Sequence, residues 1–79
     1  MKNTYYIIYY ENNGFQAMGD WFNNINKKGP YYNIQETQQN INVYKSIIYC
    51  VESKSYINLY LDQTSINDLL KWAQLNVFI

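Results

Sequence analysis

The sequence predicts one small α+β domain spanning residues 1–79, an antiparallel sheet with one or two helices packed on one face. Three observations carry that expectation. Apolar residues alternate between Ile41 and Leu61, with a polar break at Glu52-Ser53-Lys54-Ser55, which is the pattern of a β-hairpin. Ile66, Leu69, Leu70 and Ala73 sit at i, i+3, i+4 and i+7, one stripe of a helix. The run Thr4–Tyr10 is rich in β-branched and aromatic residues and ends at Glu11-Asn12-Asn13-Gly14, a turn signal.

Taken in order, the first element is a strand over Thr4–Tyr10, apolar on both faces and therefore suited to the middle of a sheet. From Phe15 to Lys28, Phe15, Met18, Phe22 and Ile25 fall at helical spacing, and Gly29-Pro30 supplies a stop. A short helix is expected there. Residues 31–40 read either as a short strand followed by a polar loop or as the start of a longer strand. Ile41, Val43, Ile47, Tyr49 and Val51 then alternate with Tyr44, Ile48 and Cys50, and Tyr56–Leu61 forms the return strand. Asp62-Gln63-Thr64-Ser65 offers capping side chains. Ser65 and Asp68 resemble a capping box, with Asp in place of Glu. The final helix is expected to end near Asn76, with Leu75 extending its packing. Val77-Phe78-Ile79 would return to the sheet.

This β-α-β-β-α-β order resembles the split βαβ, or ferredoxin-like, arrangement. The alternative is a simpler meander with one helix on an antiparallel sheet.

A tight turn at Ser53-Lys54 would set Val51 opposite Tyr56, Tyr49 opposite Asn58 and Ile47 opposite Tyr60. Directly opposed residues share a face. Ile48, Cys50, Ile57, Leu59 and Leu61 form the aliphatic face, expected against the helices. Ile47, Tyr49, Val51, Tyr56 and Tyr60 form an amphipathic face, expected on the uncovered side. An exposed patch of this kind marks an interaction site, so these five are the candidate partner-binding residues. Three readings stay open: sheet residues partly covered by residues 31–40, a protein-partner or homodimer surface, or a platform on which bases stack.

Composition narrows the function classes. Of 79 residues, 48% are hydrophobic and 19% aromatic, enough apolar material for a folded core rather than a disordered chain. Six Lys balance six acids, and Arg and His are absent. That leaves no electropositive footprint for nucleic acid, and zero net charge favours self-association. Cys50 is the single cysteine, so it can form no intramolecular disulfide and belongs to no cysteine-based metal site. Lying in Ile47-Ile48-Tyr49-Cys50-Val51, it reads as a small buried hydrophobe. With no His, a nucleophilic Cys would lack its usual base. A reduced lone Cys fits a cytoplasmic setting.

No apolar segment is long enough to span a membrane, and the N-terminal run is too short and tyrosine-rich for a signal peptide. Gly14, Gly19 and Gly29 show no phosphate-loop spacing. The six acids are scattered over turns and caps, while Trp21 and Trp72 read as core or rim anchors. No cofactor is implied.

The expectation is a non-enzymatic module that binds a protein partner. Its Asn, Ile, Tyr and Lys bias, typical of A/T-rich codons, matches in type the small stoichiometric inhibitors of phages and mobile elements, anti-CRISPR-like in role. The alternatives are a nucleic-acid-binding accessory protein using the tyrosine face, and a homo-oligomeric structural or regulatory subunit.

Overall fold

The computed structural model describes residues 3–11, 25–42, 45–58 and 61–78. Within them the order is β1 (Tyr5–Tyr10), β2 (Ile25–Tyr31), α1 (Ile34–Gln39), β3 (Ser46–Cys50), β4 (Ser55–Asn58) and α2 (Gln63–Asn76). The strands form one antiparallel sheet in the order β2-β1-β3-β4. The α+β class is therefore as the sequence predicts. The ferredoxin-like order does not emerge: two strands precede α1, and no strand follows α2 among the described residues.

β1 lies in the middle of the sheet, as its two apolar faces require. It pairs with β2 on one side and β3 on the other. Because both pairings are antiparallel, β2 and β3 run parallel to each other, and α1 makes the crossover between them above β1. A parallel pair needs such a crossover, whereas a two-residue turn cannot supply it.

Alternation along paired strands separates the two faces. Register places Tyr6, Ile8 and Tyr10 with Ile47 and Tyr49, and Tyr5, Ile7 and Tyr9 with Ser46, Ile48 and Cys50. α2 covers the first set. Its buried stripe of Ile66, Leu69 and Ala73 joins Ile8, Ile47, Tyr49, Val51 and Val77 in the main core. Tyr6, Tyr10, Ile25, Leu61, Leu70 and Trp72 pack around that cluster. α1 lies against β1 and β2, and its Ile34 lines a cavity together with Tyr5, Ile48 and Cys50 of the opposite face. The helices thus sit on opposite faces rather than on one.

Several sequence expectations change for identifiable reasons. The helix expected over residues 15–28 falls outside the described residues up to 24, and Ile25–Lys28 belong to β2. There Ile25 pairs with Tyr10 and Lys28 with Ile7, so cross-strand packing overrides the helical spacing. Gly29, the expected helix stop, is instead inside β2 with φ +146°, where β2 carries one residue more than β1 between the Tyr5–Tyr31 and Ile7–Lys28 pairs. A Cβ there would come within 3.0 Å of the Tyr5 carbonyl oxygen and the Tyr6 ring. The Gly29–Pro30 peptide is cis.

Residues 31–40 hold α1, which was not anticipated. Its signal is Asn33-Ile34-Gln35-Glu36: the Asn33 side chain accepts from the Gln35 and Glu36 amides, as an N-cap does. Ile41 and Asn42 stand outside any strand, and β3 starts at Ser46.

α2 starts three residues earlier than the Ser65 cap implies. Asp62 is the N-cap: its carboxylate accepts from the Ser65 amide at 3.2 Å and from the Ser65 hydroxyl at 2.9 Å. The helix ends at Asn76 as expected. Leu75 does not extend the packing and is 65% exposed. It lies nine residues beyond Ile66, about 180° around a helix of 3.6 residues per turn. Val77 is buried as the C-cap residue instead of joining the sheet, and Phe78 is exposed.

Candidate interaction surface

The five candidate partner-binding residues separate in the structure. Ile47, Tyr49 and Val51 are 1%, 2% and 5% exposed, buried beneath α2. They form core rather than a free surface, so neither a partner nor a stacked base can reach them in the folded chain. Tyr56 is exposed on β4, and Tyr60 lies outside the described residues. The faces of the paired residues are as expected, but Leu61, expected on the aliphatic face, packs against the cluster of Ile47 and Tyr49, and Leu59 and Tyr60 lie outside the described residues. Ile47, Tyr49 and Tyr56 do share one side, and Ile48, Cys50 and Ile57 the other. What changes is the side that receives α2.

The pairing also slips by two residues from the expected register. Tyr49 opposes Tyr56, Ile47 opposes Asn58 and Cys50 opposes Ser55. The connection is the four-residue turn Val51–Lys54, with Lys54 in the left-handed region at φ +55°. A shift of two preserves the face of every side chain, whereas a shift of one would invert it.

The sheet's two edges differ chemically. β2 carries Lys27, Lys28, Gly29 and Pro30, and Pro30 has no N–H to offer a new strand. Charge and proline are the usual means of blocking edge pairing. β4 reads Ser55-Tyr56-Ile57-Asn58, with neither. Beside β4, on the α1 side, lies a half-open cavity of about 150 Å³. Tyr5, Ile34, Ile48, Cys50 and Ile57 line it together with Asn3, Ser53 and Ser55, and Tyr56, whose register puts its side chain on the α2 face, borders it as part of the edge strand. The β4 edge, which no other described strand pairs, and this cavity are the candidate surface. Sequence reasoning found Tyr56 but missed the cavity, because it depends on α1.

Several of the described charged side chains serve the fold. Lys27 Nζ donates to the Asn76 carbonyl at 3.3 Å and lies 5.5 Å from the Tyr6 ring centroid. Lys28 Nζ donates to the Asn40 carbonyl, also at 3.3 Å. Glu52 accepts from the Thr4 amide and hydroxyl at 2.6 and 2.8 Å, and these bonds hold its carboxyl below the ordinary carboxylate range. Asp62 is lowered in the same sense by its bonds from Ser65. Tyr10 donates to Asp68 at 3.4 Å; burial first, and then the Asp68 charge, raise its phenol above the ordinary value. Burial likewise raises Tyr49.

Among the described residues no cluster of three or more His, Cys, Asp or Glu side chains could hold a metal ion. No described helix is long and apolar enough to cross a membrane. Compared with known proteins, the chain matches no family, no curated sequence and no solved structure.

Proposed function

We propose that the chain is a small non-enzymatic module that binds a protein partner stoichiometrically through the β4 edge. The observation that supports this reading is the contrast between the two sheet edges. β2 is guarded by lysines and a proline, while β4 is uncharged, carries the exposed Tyr56 and adjoins a cavity. An edge of this kind accepts an extended partner segment: backbone bonds supply affinity, and pockets for alternate side chains supply selectivity. The cavity is similar in volume to one that holds a benzene-sized group, at about 150 Å³.

In this reading the protein acts as a phage or mobile-element inhibitor of a host defence protein, anti-CRISPR-like in role. Its A/T-type composition supports that assignment. The acids do not favour an enzyme. Asp62 caps α2, Glu52 holds Thr4 and Asp68 receives Tyr10. A nucleic-acid role loses its platform, since Tyr49 is beneath α2, and Lys27 and Lys28 are engaged at helix ends.

The test is affinity capture from candidate host cells with wild type, Tyr56→Lys and Tyr32→Lys, together with solution mass against concentration. Tyr32 is 58% exposed and lies off β4, so it controls for added charge. One protein retained by wild type and Tyr32→Lys but lost by Tyr56→Lys is the expected result. Equal retention by all three would overturn the β4 assignment. A mass that doubles with concentration, and only when Tyr56 is intact, would replace the partner by a second copy.

A further inference from the structure

The β1–β3 ladder ends at Thr4 and Val51, where the Val51 amide donates to the Thr4 carbonyl at 3.0 Å. The Thr4 amide is met by a side chain: it donates to Glu52 Oε1, while the Thr4 hydroxyl donates to Oε2. The same Oε1 accepts from Cys50 Sγ at 3.8 Å. One carboxylate therefore joins three groups, two from the N-terminal lead of β1 and one from the end of β3.

The position of this junction gives it a consequence beyond the proposed β4 contact. Asn3, Tyr5, Cys50 and Ser53 all line the cavity, and Tyr5 lies directly opposite Cys50 where β1 and β3 meet. Glu52 ties the lead of β1 at Thr4 to the end of β3 at Cys50. Cys50 is 7% exposed on the α1 face, so it can be uncovered without disturbing the α2 core on the other face. We propose that Glu52 is a latch: it holds the Thr4 end of β1 against the end of β3 at Cys50, and its release frays that end of the sheet and uncovers the thiol.

Local openings of this kind are seen where an exposed contact secures a strand end while the core stays folded. The Cys50 thiol reports the opening directly, being the chain's single cysteine. The measurement is the rate at which folded protein reacts with N-ethylmaleimide near neutral pH. Variants are Glu52→Ala, Thr4→Val and Ile66→Val, with urea midpoints measured in parallel.

Glu52→Ala should react roughly three- to tenfold faster than wild type, as loss of a charge-assisted contact would produce in a local opening equilibrium. Thr4→Val keeps the amide bond and loses the hydroxyl bond, so its rate should fall between the two. Ile66→Val weakens the core on the α2 side and should accelerate the reaction less than Glu52→Ala does, even at an equal urea midpoint. A wild-type rate in Glu52→Ala overturns the latch. So does a rate that follows the urea midpoint across all the variants, because global unfolding would then expose the thiol.

Discussion

Lys27 and Lys28 are neighbours on β2 whose ammonium groups reach helix ends on opposite faces of the sheet. Lys27 meets the Asn76 carbonyl at the end of α2, and Lys28 meets the Asn40 carbonyl at the end of α1, each at 3.3 Å. Alternation makes this possible, because adjacent side chains on a strand point to opposite faces. A helix C-terminus carries partial negative charge and unsatisfied carbonyls, and neither helix has a basic residue in its own last turn. β2 thus supplies the cations that both helices lack. Replacing either lysine by Met should lower stability by about 0.5–1 kcal/mol in urea denaturation. Since the partners lie on separate faces, the double variant should equal the sum of the singles to within about 0.5 kcal/mol. A double variant no less stable than either single would show that these bonds are not separate contributions.

Acid titration should expose the two carboxylate bonds. Glu52 and Asp62 both have folded pKa values below their unfolded ones. Their contribution is therefore present above the ordinary carboxylate range, about pH 4, and lost as pH falls through the depressed values. Both groups are exposed, so salt should weaken the effect. The thermal midpoint should fall less steeply on acidification in Glu52→Gln and Asp62→Asn than in wild type. An unchanged slope in both variants would contradict the assignment.

The alkaline limb tests the other direction. Tyr10 and Tyr49 have raised pKa values in the folded chain, in both cases chiefly through burial. Their contribution is complete below the unfolded value near pH 10 and is lost as pH rises toward the folded ones. Phenolate absorbance should show a late-ionising fraction that coincides with unfolding. Tyr10→Phe should reduce that fraction and keep the neutral-pH fold. A titration identical to wild type would remove Tyr10 from the buried set.

Lys54 offers a gain in stability. Its φ of +55° closes the Val51–Lys54 turn in a conformation that L-residues with a Cβ resist. Glycine enters that region freely but costs more entropy to order, so the two effects partly offset. Lys54→Gly should raise stability by about 0.5 kcal/mol, read as a higher urea midpoint at unchanged slope. A loss of stability would mean that the lysine side chain makes a compensating contact.

The sequence was most informative where packing and local pattern agree. β1 could be placed in the centre because both its faces are apolar, and α2 could be recognised because Ile66, Leu69 and Ala73 recur at helical spacing. The two faces of the hairpin were also legible, since period two survives a two-residue slip. Three features were not. α1 has one strong apolar residue, Ile34, and its clearest signal is the Asn33 cap rather than a stripe. The start of β2 reads as a helix end because Phe15, Met18, Phe22 and Ile25 fall at helical spacing ahead of Gly29-Pro30, whereas the structure pairs Ile25–Lys28 with β1 and sends Lys27 and Lys28 to the helices. The third is the choice of face for α2, which no local pattern encodes. Tyr49 looks amphipathic, and burial under a helix was hidden by its hydroxyl.

That choice of face is the strongest claim the fold makes against the sequence reading, and single substitutions separate the two. Leu69 is 0% exposed and packs in the cluster containing Ile47 and Tyr49, so Leu69→Ala should cost about 2–5 kcal/mol. Leu75 projects from the same helix into solvent, and Leu75→Ala should change stability by less than about 0.5 kcal/mol. Between them, Tyr49 decides the face. Tyr49→Phe keeps the ring in the core and should be nearly neutral, while Tyr49→Ala should cost about 3–5 kcal/mol, as removal of a buried ring does. Urea denaturation of the four variants reads all of these at once. If Tyr49→Ala were tolerated like Leu75→Ala, the tyrosine would belong to an open surface, and α2 would lie on the Ile48 and Cys50 side.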